Sequence, residues 1–259
     1  MGVTIASLVE TARALKHRAH AHRLARRGEG GRAMDAWRAV CADTVRGGPF
    51  AGMRYPPRWG DGCAPAKWLG SYEDEVLPAL VALTKRAPRQ VVVVGSADGY
   101  FTVGLARALS DAQVDAFDTD VVARWNTRRL ARLNETKVRM HGAATPESIA
   151  AVLTAAHTLV ICDCEGYEDV LLDPTRVPAL AHCDLMVELH ETGQPAMGER
   201  IAARFSGAKV AFIHTRDRDV EDYPALTAIA EPLRPYVVRE FRYAQRWMMI
   251  TRAGWPRDH

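Results

Sequence analysis

The sequence predicts a doubly wound α/β fold, and three observations carry the prediction. Val91, Val92, Val93 and Val94 are four β-branched residues in succession without polar alternation, which suits a strand buried on both faces of a parallel sheet. A turn containing Gly95 and Gly99 follows, and Val103–Leu109 then reads as a helix. Strand, glycine turn and helix is how α/β folds bring backbone N–H groups up to a nucleotide-like ligand. From Arg89 onward, strand and helix patterns alternate, which implies parallel strands joined by right-handed crossovers.

The elements follow in order. Residues 1–47 read as two helices broken at Gly28-Glu29-Gly30-Gly31. Residues 48–70 are rich in Gly, Pro and aromatics, and so long a stretch without regular structure is usually functional. Phe50, Tyr55, Trp59 and Trp68 are expected there to line an acceptor pocket as a lid. A helix is expected from Tyr72 to Lys85, with Glu73, Asp74 and Glu75 in its first turn, where the dipole favours acids. Strands are expected at 90–94, 113–117, 137–140, 158–162, 184–189, 208–214 and 246–251. Helices are expected near 99–109, 121–133, 146–155, 166–172, 196–205 and 222–230. Val237–Arg242 is expected to form a hairpin with the last strand, which puts an antiparallel strand at the end of a parallel sheet. The division expected is a helical N-terminal extension with a lid or substrate loop at 1–70 and a ligand-binding domain at 71–259.

Composition bounds the class. The 259 residues are 48% hydrophobic and 25% charged, as in ordinary globular chains. No apolar run approaches the roughly 20 residues that span a bilayer. The first residues lack a secretory pattern, because Lys16 to Arg27 is basic where an apolar core would lie. The five cysteines, Cys41, Cys63, Cys162, Cys164 and Cys183, show no metal spacing, and Cys162 and Cys164, in an apolar strand, read as buried reduced thiols, which points to a reducing cytoplasm. Residues 1–32 carry +5 of the net charge of +3, leaving −2 for the rest, which does not describe a nucleic-acid-binding face on the core domain and argues against a DNA partner. Ile5, Leu8, Val9, Ala12 and Leu15 recur at helical spacing, which reads as a docking helix with a solvated basic face and offers a contact for a homo-oligomer.

In open α/β sheets, ligands sit beyond the carboxyl ends of the strands. Twenty-three residues after Gly95, the second strand ends at Asp118, whose carboxylate can accept hydrogen bonds from both hydroxyls of a ribose, so the pairing points to a cofactor with an adenosine half. The third strand runs into Gly142, Ala143 and Ala144, small enough to pass against a flat base. The fourth ends in Asp163-Cys164-Glu165-Gly166-Tyr167-Glu168 and the fifth in Glu188-Leu189-His190. In extended chain, residues two apart share a face, so Asp163 is expected to pair with Glu165 and Glu188 with His190. Three carboxylates and an imidazole on one rim suit a general base, a divalent metal or a cationic substrate, against a solvated rim in which Glu168 and Asp169 are merely helix N-terminal acids.

Gly95-Ser96-Ala97-Asp98-Gly99-Tyr100-Phe101-Thr102, Asp163–Glu168 and Val187-Glu188-Leu189-His190, with Lys67–Glu73 ahead of them, resemble the FkbM-type branch of class I S-adenosylmethionine methyltransferases over roughly residues 65–215. The resemblance implies a seven-stranded Rossmann-like methyltransferase sheet and the cofactor S-adenosyl-L-methionine, bound by Gly95, Ser96, Ala97, Asp98, Gly99, Tyr100, Asp118, Ala143, Asp163 and Tyr72. It implies a methyltransferase acting on an oxygen or nitrogen of a small molecule, such as a sugar or secondary metabolite. The catalytic set is then His190, Glu188, Asp163 and Glu165, with a base preferred to a divalent metal held by Asp163, Glu188 and His190. Two departures stand out: Val93 where many such enzymes carry an acid, and Ala97 in place of a middle glycine. The first removes one contact to the methionine amino group, which Asp163 or the Tyr72 region would supply. An NAD-linked oxidoreductase would need glycine where Ala97 and Tyr100 stand. An RNA methyltransferase and a non-catalytic scaffold are the other readings.

Overall fold

The valine run lies at the centre of a seven-stranded sheet. In the computed structural model, the described residues are 28–56, 63–153, 157–240 and 245–252. The strands are β1 (Gln90–Val94), β2 (Gln113–Phe117), β3 (Arg139–His141), β4 (Thr158–Cys162), β5 (Asp184–Leu189), β6 (Lys209–His214) and β7 (Arg246–Thr251). Their order is β3-β2-β1-β4-β5-β7-β6. Strands β1 to β5 pair in parallel, while β7 runs antiparallel to both β5 and β6. This is the doubly wound, seven-stranded sheet expected from the sequence, with one strand reversed.

In the sheet itself, two expectations need correction. The antiparallel strand is not at the end of the sheet but between β5 and β6, because Trp247, Met248 and Ile250 are fully buried and need neighbours on both sides. Strand β6 has no fully buried residue and takes the edge. Nor does Val237–Arg242 begin a hairpin. Pro235 opens a helix, Arg234–Val238, and burial of Val237 and Val238 outweighs their strand preference; residues 241 and 242 lie outside the described residues.

The chain divides into two compact units, residues 1–74 with 216–242, and residues 75–215 with 243–259. In the first, α1 (Gly28–Cys41) takes Gly28–Gly31 as its first turn rather than as a break; the helix expected ahead of it lies outside the described residues. Helix α2 spans Ala64–Leu69, and both pack on the helix of residues 234–238. Phe50, Met53, Tyr55 and Trp68 are buried, and Trp68 Nε1 donates to Tyr55 O at 2.8 Å. The aromatic segment is therefore core rather than an open lid, although Trp59 lies outside the described residues. Arg218 closes the unit, 3.2 Å from Asp74 and 3.0 Å from Glu240. Residues 216–242 thus pack with the N-terminal segment, and three tight turns, Val220–Asp222, Pro224–Ala228 and Glu231–Leu233, replace the helix expected at 222–230 because Pro224 and Pro232 interrupt it.

The second unit carries the sheet with α3 (Leu77–Thr84), α4 (Tyr100–Ala108), α5 (Val121–Leu133), α6 (Pro146–Val152), α7 (Glu168–Leu171) and α8 (Met197–Ala203). Helix α3 starts at Leu77, not Tyr72: Glu73 has φ 53°, outside helical space, and Pro78 suits the first turn. Buried Asp115 on β2 ties four strands together. It accepts from Gln90 at 3.1 Å and Gln113 at 2.6 Å, lies 2.9 Å from His141 Nε2, and Gln90 accepts in turn from Thr158 at 3.2 Å. Burial pushes the Asp115 carboxyl pKa up, but these bonds outweigh it and leave it below the usual range.

Asp115→Ala is expected to destabilise the fold by about 3 kcal/mol, because buried amide donors lose their acceptor. The wild-type contribution is present above about pH 4 and lost as pH falls through the lowered native pKa. Chemical denaturation of both proteins at pH 7 and pH 3 checks this: the difference between them shrinks in acid.

Candidate active site

The site is built where β1, β4 and β5 end. Beyond Val94 the chain stays in register, with Gly95 N and Ser96 N donating to Phe117 O and Asp163 N donating to Val94 O at 2.9 Å. Gly95 has φ 85°, and a Cβ there would overlap the Asp163 carbonyl oxygen. Glycine is required twice over, by conformation and by space. Ala97, at φ 46°, holds a left-handed position where glycine is usual. Its strain is offset by Asp118, whose Oδ2 accepts from Ala97 N at 2.8 Å and whose Oδ1 accepts from Asp120 N at 2.8 Å. Ser96 Oγ lies 3.4 Å from the same carboxylate, and Asp98 Oδ1 accepts from Tyr100 N at 3.1 Å, at the start of α4. Gly99 packs on Thr127. The turn residues and Asp118 thus form one hydrogen-bonded cradle.

Across the rim, the extended geometry expected beyond β4 does not persist. Glu165 takes φ 59° and the chain turns at Gly166, φ 101°. The turn swings Glu165 Oε2 to 3.5 Å from His190 Nε2, beside Asp163 Oδ1 at 3.7 Å. Glu188 is buried and hydrogen-bonds Asp163.

The residue that organises the cluster is Glu168. It is fully buried at the start of α7, and its Oε1 accepts from Cys164 N and Gly166 N, each at 3.2 Å, and contacts His190 Nδ1 at 2.8 Å. With its proton on Nδ1, His190 presents Nε2 to the rim. The reading of Glu168 as a helix N-terminal acid missed this role; its place five residues after Asp163, on a turn that folds back, was the only signal. Asp169 does serve locally, pairing with Arg204 at 2.6 Å.

Burial pushes the Asp163 carboxyl up to about 6, with Glu165 and Glu168 adding to it and His190 and Glu188 opposing. Burial pulls the His190 imidazole down, but the bond to Glu168 and the charges of Asp163 and Glu165 more than reverse this, leaving it above its ordinary 6.5. Burial also pushes Glu168 up, and the His190 bond with two backbone N–H groups outweighs it, so Glu168 stays ionised.

A cleft of about 790 Å³ opens beside this cluster, lined among others by Glu165, His190, Thr192, Gln194, His214 and Gln245. Its size suits a small ligand, and its lining is hydrogen-bonding in character. Sequence reasoning missed Gln194, which also donates to Gly166 O at 2.8 Å, and His214. The ligating atoms of Asp163, Glu165 and His190 lie within 4.8 Å of one another and could hold a divalent ion; Glu165 takes the place expected of Glu188. Ala143 is exposed just past β3, next to Gly142, whose carbonyl accepts from Asp118 N at 3.1 Å. Tyr72 belongs to the other unit, where Lys67 Nζ lies 4.5 Å over its ring. Cys162 and Cys164 are free thiols with Sγ atoms 3.6 Å apart.

No family model matches the chain, and no curated protein does either. Among solved structures it is similar to magnesium protoporphyrin IX methyltransferase from Synechocystis PCC 6803 with bound SAH, at 13% identity, 84% of this chain and 93% of that one, TM-score 0.46. It is similar to the O-methyltransferase TomG from Streptomyces achromogenes in complex with SAM, at 15% identity, 70% and 80%, TM-score 0.45. An O-methyltransferase from Bacillus cereus in complex with SAH gives 12% identity, 70% and 81%, TM-score 0.43.

Gly95→Ala is expected to cost about 3 kcal/mol or more, because the turn and the Asp163 carbonyl must part. The thermal midpoint should fall by several degrees, while Ala97→Gly, which relieves a positive φ, should leave it unchanged or raise it.

Proposed function

We propose that this chain is an S-adenosylmethionine-dependent methyltransferase of FkbM type, acting on an oxygen or nitrogen of a small molecule such as a sugar or secondary metabolite. The observation that carries the reading is the cradle of Gly95–Gly99 and Asp118 joined through the Gly95–Asp163 contact to a histidine whose Nδ1 is held by a buried carboxylate. The cradle's chemistry fits the donor. A carboxylate at the end of β2 suits a ribose, exposed Ala97 and Ala143 leave room for a flat base, and Asp163 suits a cationic amine. When bound there, the cofactor supplies an electrophilic methyl group.

The residues of this chain then position and deprotonate the acceptor. The polar cleft next to His190 orients a hydroxyl or amine, which supplies most of the acceleration in a displacement of this kind. His190 Nε2 takes the acceptor's proton as the new bond to carbon forms. Glu168 is a positioning residue that fixes the tautomer and stabilises the imidazolium, while Asp163 and Glu165 stabilise the same charge. The spacing of Asp163, Glu165 and His190 favours one second reading, a divalent ion at Nε2 that lowers the acceptor's pKa in place of the base.

Isothermal titration is expected to show binding of S-adenosylmethionine and its demethylated product but not NAD, with Asp118→Ala weakening both; tight NAD binding would sink the assignment. By NMR, the His190 imidazole should titrate above pH 6.5, and Glu168→Gln should lower that midpoint while sparing cofactor affinity. Turnover should rise with pH through the same midpoint, and His190→Ala should lower it about 10²–10⁴-fold. Loss of turnover on chelation, restored by Mn²⁺, would assign Nε2 to a metal instead.

A further inference from the structure

A net charge of −2 outside residues 1–32 conceals how unevenly cations are placed on the second unit. At the opposite rim of the sheet from Gly95 and Asp118, where β2 and β3 begin, lies an open groove of about 1090 Å³. Arg107, Arg128, Arg132, Lys137 and Arg139 line it, against only Asp111 and Glu135. Arg107 and Arg132 stand in the last turns of α4 and α5, where a cation offsets the helix dipole, so these two have a structural use. The other three do not serve that purpose. Lys137 and Arg139, two apart on the chain that leads into edge strand β3, are both exposed, and Arg128 lies one turn before Arg132 on α5. Among the described residues, Arg132, Lys137 and Arg139 form no ion pair, so their charge is directed to solvent.

The same face of α5 continues with apolar surface. Trp125 is 50% exposed and Val121 57% exposed, at helical spacing before Arg128 and Arg132. Arg129 stacks 5.6 Å from the Trp125 ring. A half-exposed indole costs hydration and fills no core position here. Cations alone would suit any polyanion. A flat aromatic surface in line with them suits a polyanion that also carries planar rings.

We propose that the groove and the outer face of α5 form a docking surface for a single-stranded nucleic acid, with phosphates in the groove and an unpaired base on Trp125. The 13 residues of α5 span about 20 Å from the groove to the rim that holds Asp118. A strand anchored this way would run toward the candidate active site without occupying it. The surface is independent of the methyl-donor reading, because it shares no residue with the cradle or the His190 cluster.

The test is fluorescence anisotropy of the full chain with a labelled single-stranded RNA of about 20 nucleotides at about 50 to 200 mM salt. Arg132→Ala/Lys137→Ala/Arg139→Ala, all exposed positions, should retain the wild-type thermal midpoint. It should bind at least about tenfold more weakly, with a salt slope shallower by about two. Trp125→Ala should weaken RNA binding by about fivefold or more and leave inorganic polyphosphate binding unchanged. The proposal is overturned if the triple variant binds RNA as the wild type does, which would place binding on residues 1–32. It is equally overturned if Trp125→Ala leaves RNA affinity unchanged, or if anionic vesicles bind at this surface more tightly than RNA.

Discussion

The close approach of Gly95 to the Asp163 carbonyl is the constraint on which the rest of the site depends. It exists because β1 and β4 are adjacent and parallel, and their ladder continues one residue beyond each strand through the Asp163 N to Val94 O bond. Backbones brought that near leave no volume for a side chain. The turn that would carry the methyl donor and the turn that carries the acids are consequently one mechanical unit. A shift of either moves the other, so the cradle and the acid turn keep a fixed separation. The polar clamp around Asp115 works to the same end from the middle of the sheet, since it fixes the registers of β1, β2, β3 and β4.

The second organising element is electrostatic. Three carboxylates and one imidazole are expensive to bury unless they neutralise one another. Here the arrangement is graded. Glu168, with three donors on one oxygen, is the stable anion. His190 is the cation that this anion invites. Asp163 and Glu188 hydrogen-bond to each other, and Glu165 stays in solvent, where it adds field at little desolvation cost. The grading sets which group is poised to exchange a proton near neutrality: Asp163 and His190, the two that face the rim.

Much of this was legible in the sequence because it rests on short-range rules. Val91–Val94 are unbroken and apolar, and such a run can only be satisfied in the middle of a sheet. Gly95 and Asp118 follow from their places at strand ends. What was not legible depends on how distant segments meet. Nothing in Val237 and Val238 shows that Pro235 and a helical bundle will claim them. The role of Glu168 required the turn at Glu165 and Gly166 to reverse the chain, and a positive φ at a glutamate is not a sequence signal. The prolines and glycines of 48–70 make that stretch look irregular, whereas irregular backbone can still be packed when it carries Phe50, Tyr55 and Trp68 inward. Net charge is equally silent about placement, since a sum over residues has no geometry.

The position of β7 bears on how the molecule is made. Strand β5 carries Glu188 in register with Trp247, so one side of the acid rim is walled by residues far later in the chain. Until residues 246–251 have left the ribosome, the β5 strand, every residue of which is buried in the finished fold, presents an unpaired edge beside a half-formed cluster of carboxylates. An edge of that kind recruits other strands. Synthesis order therefore makes the acid rim the last part of the sheet to be sealed.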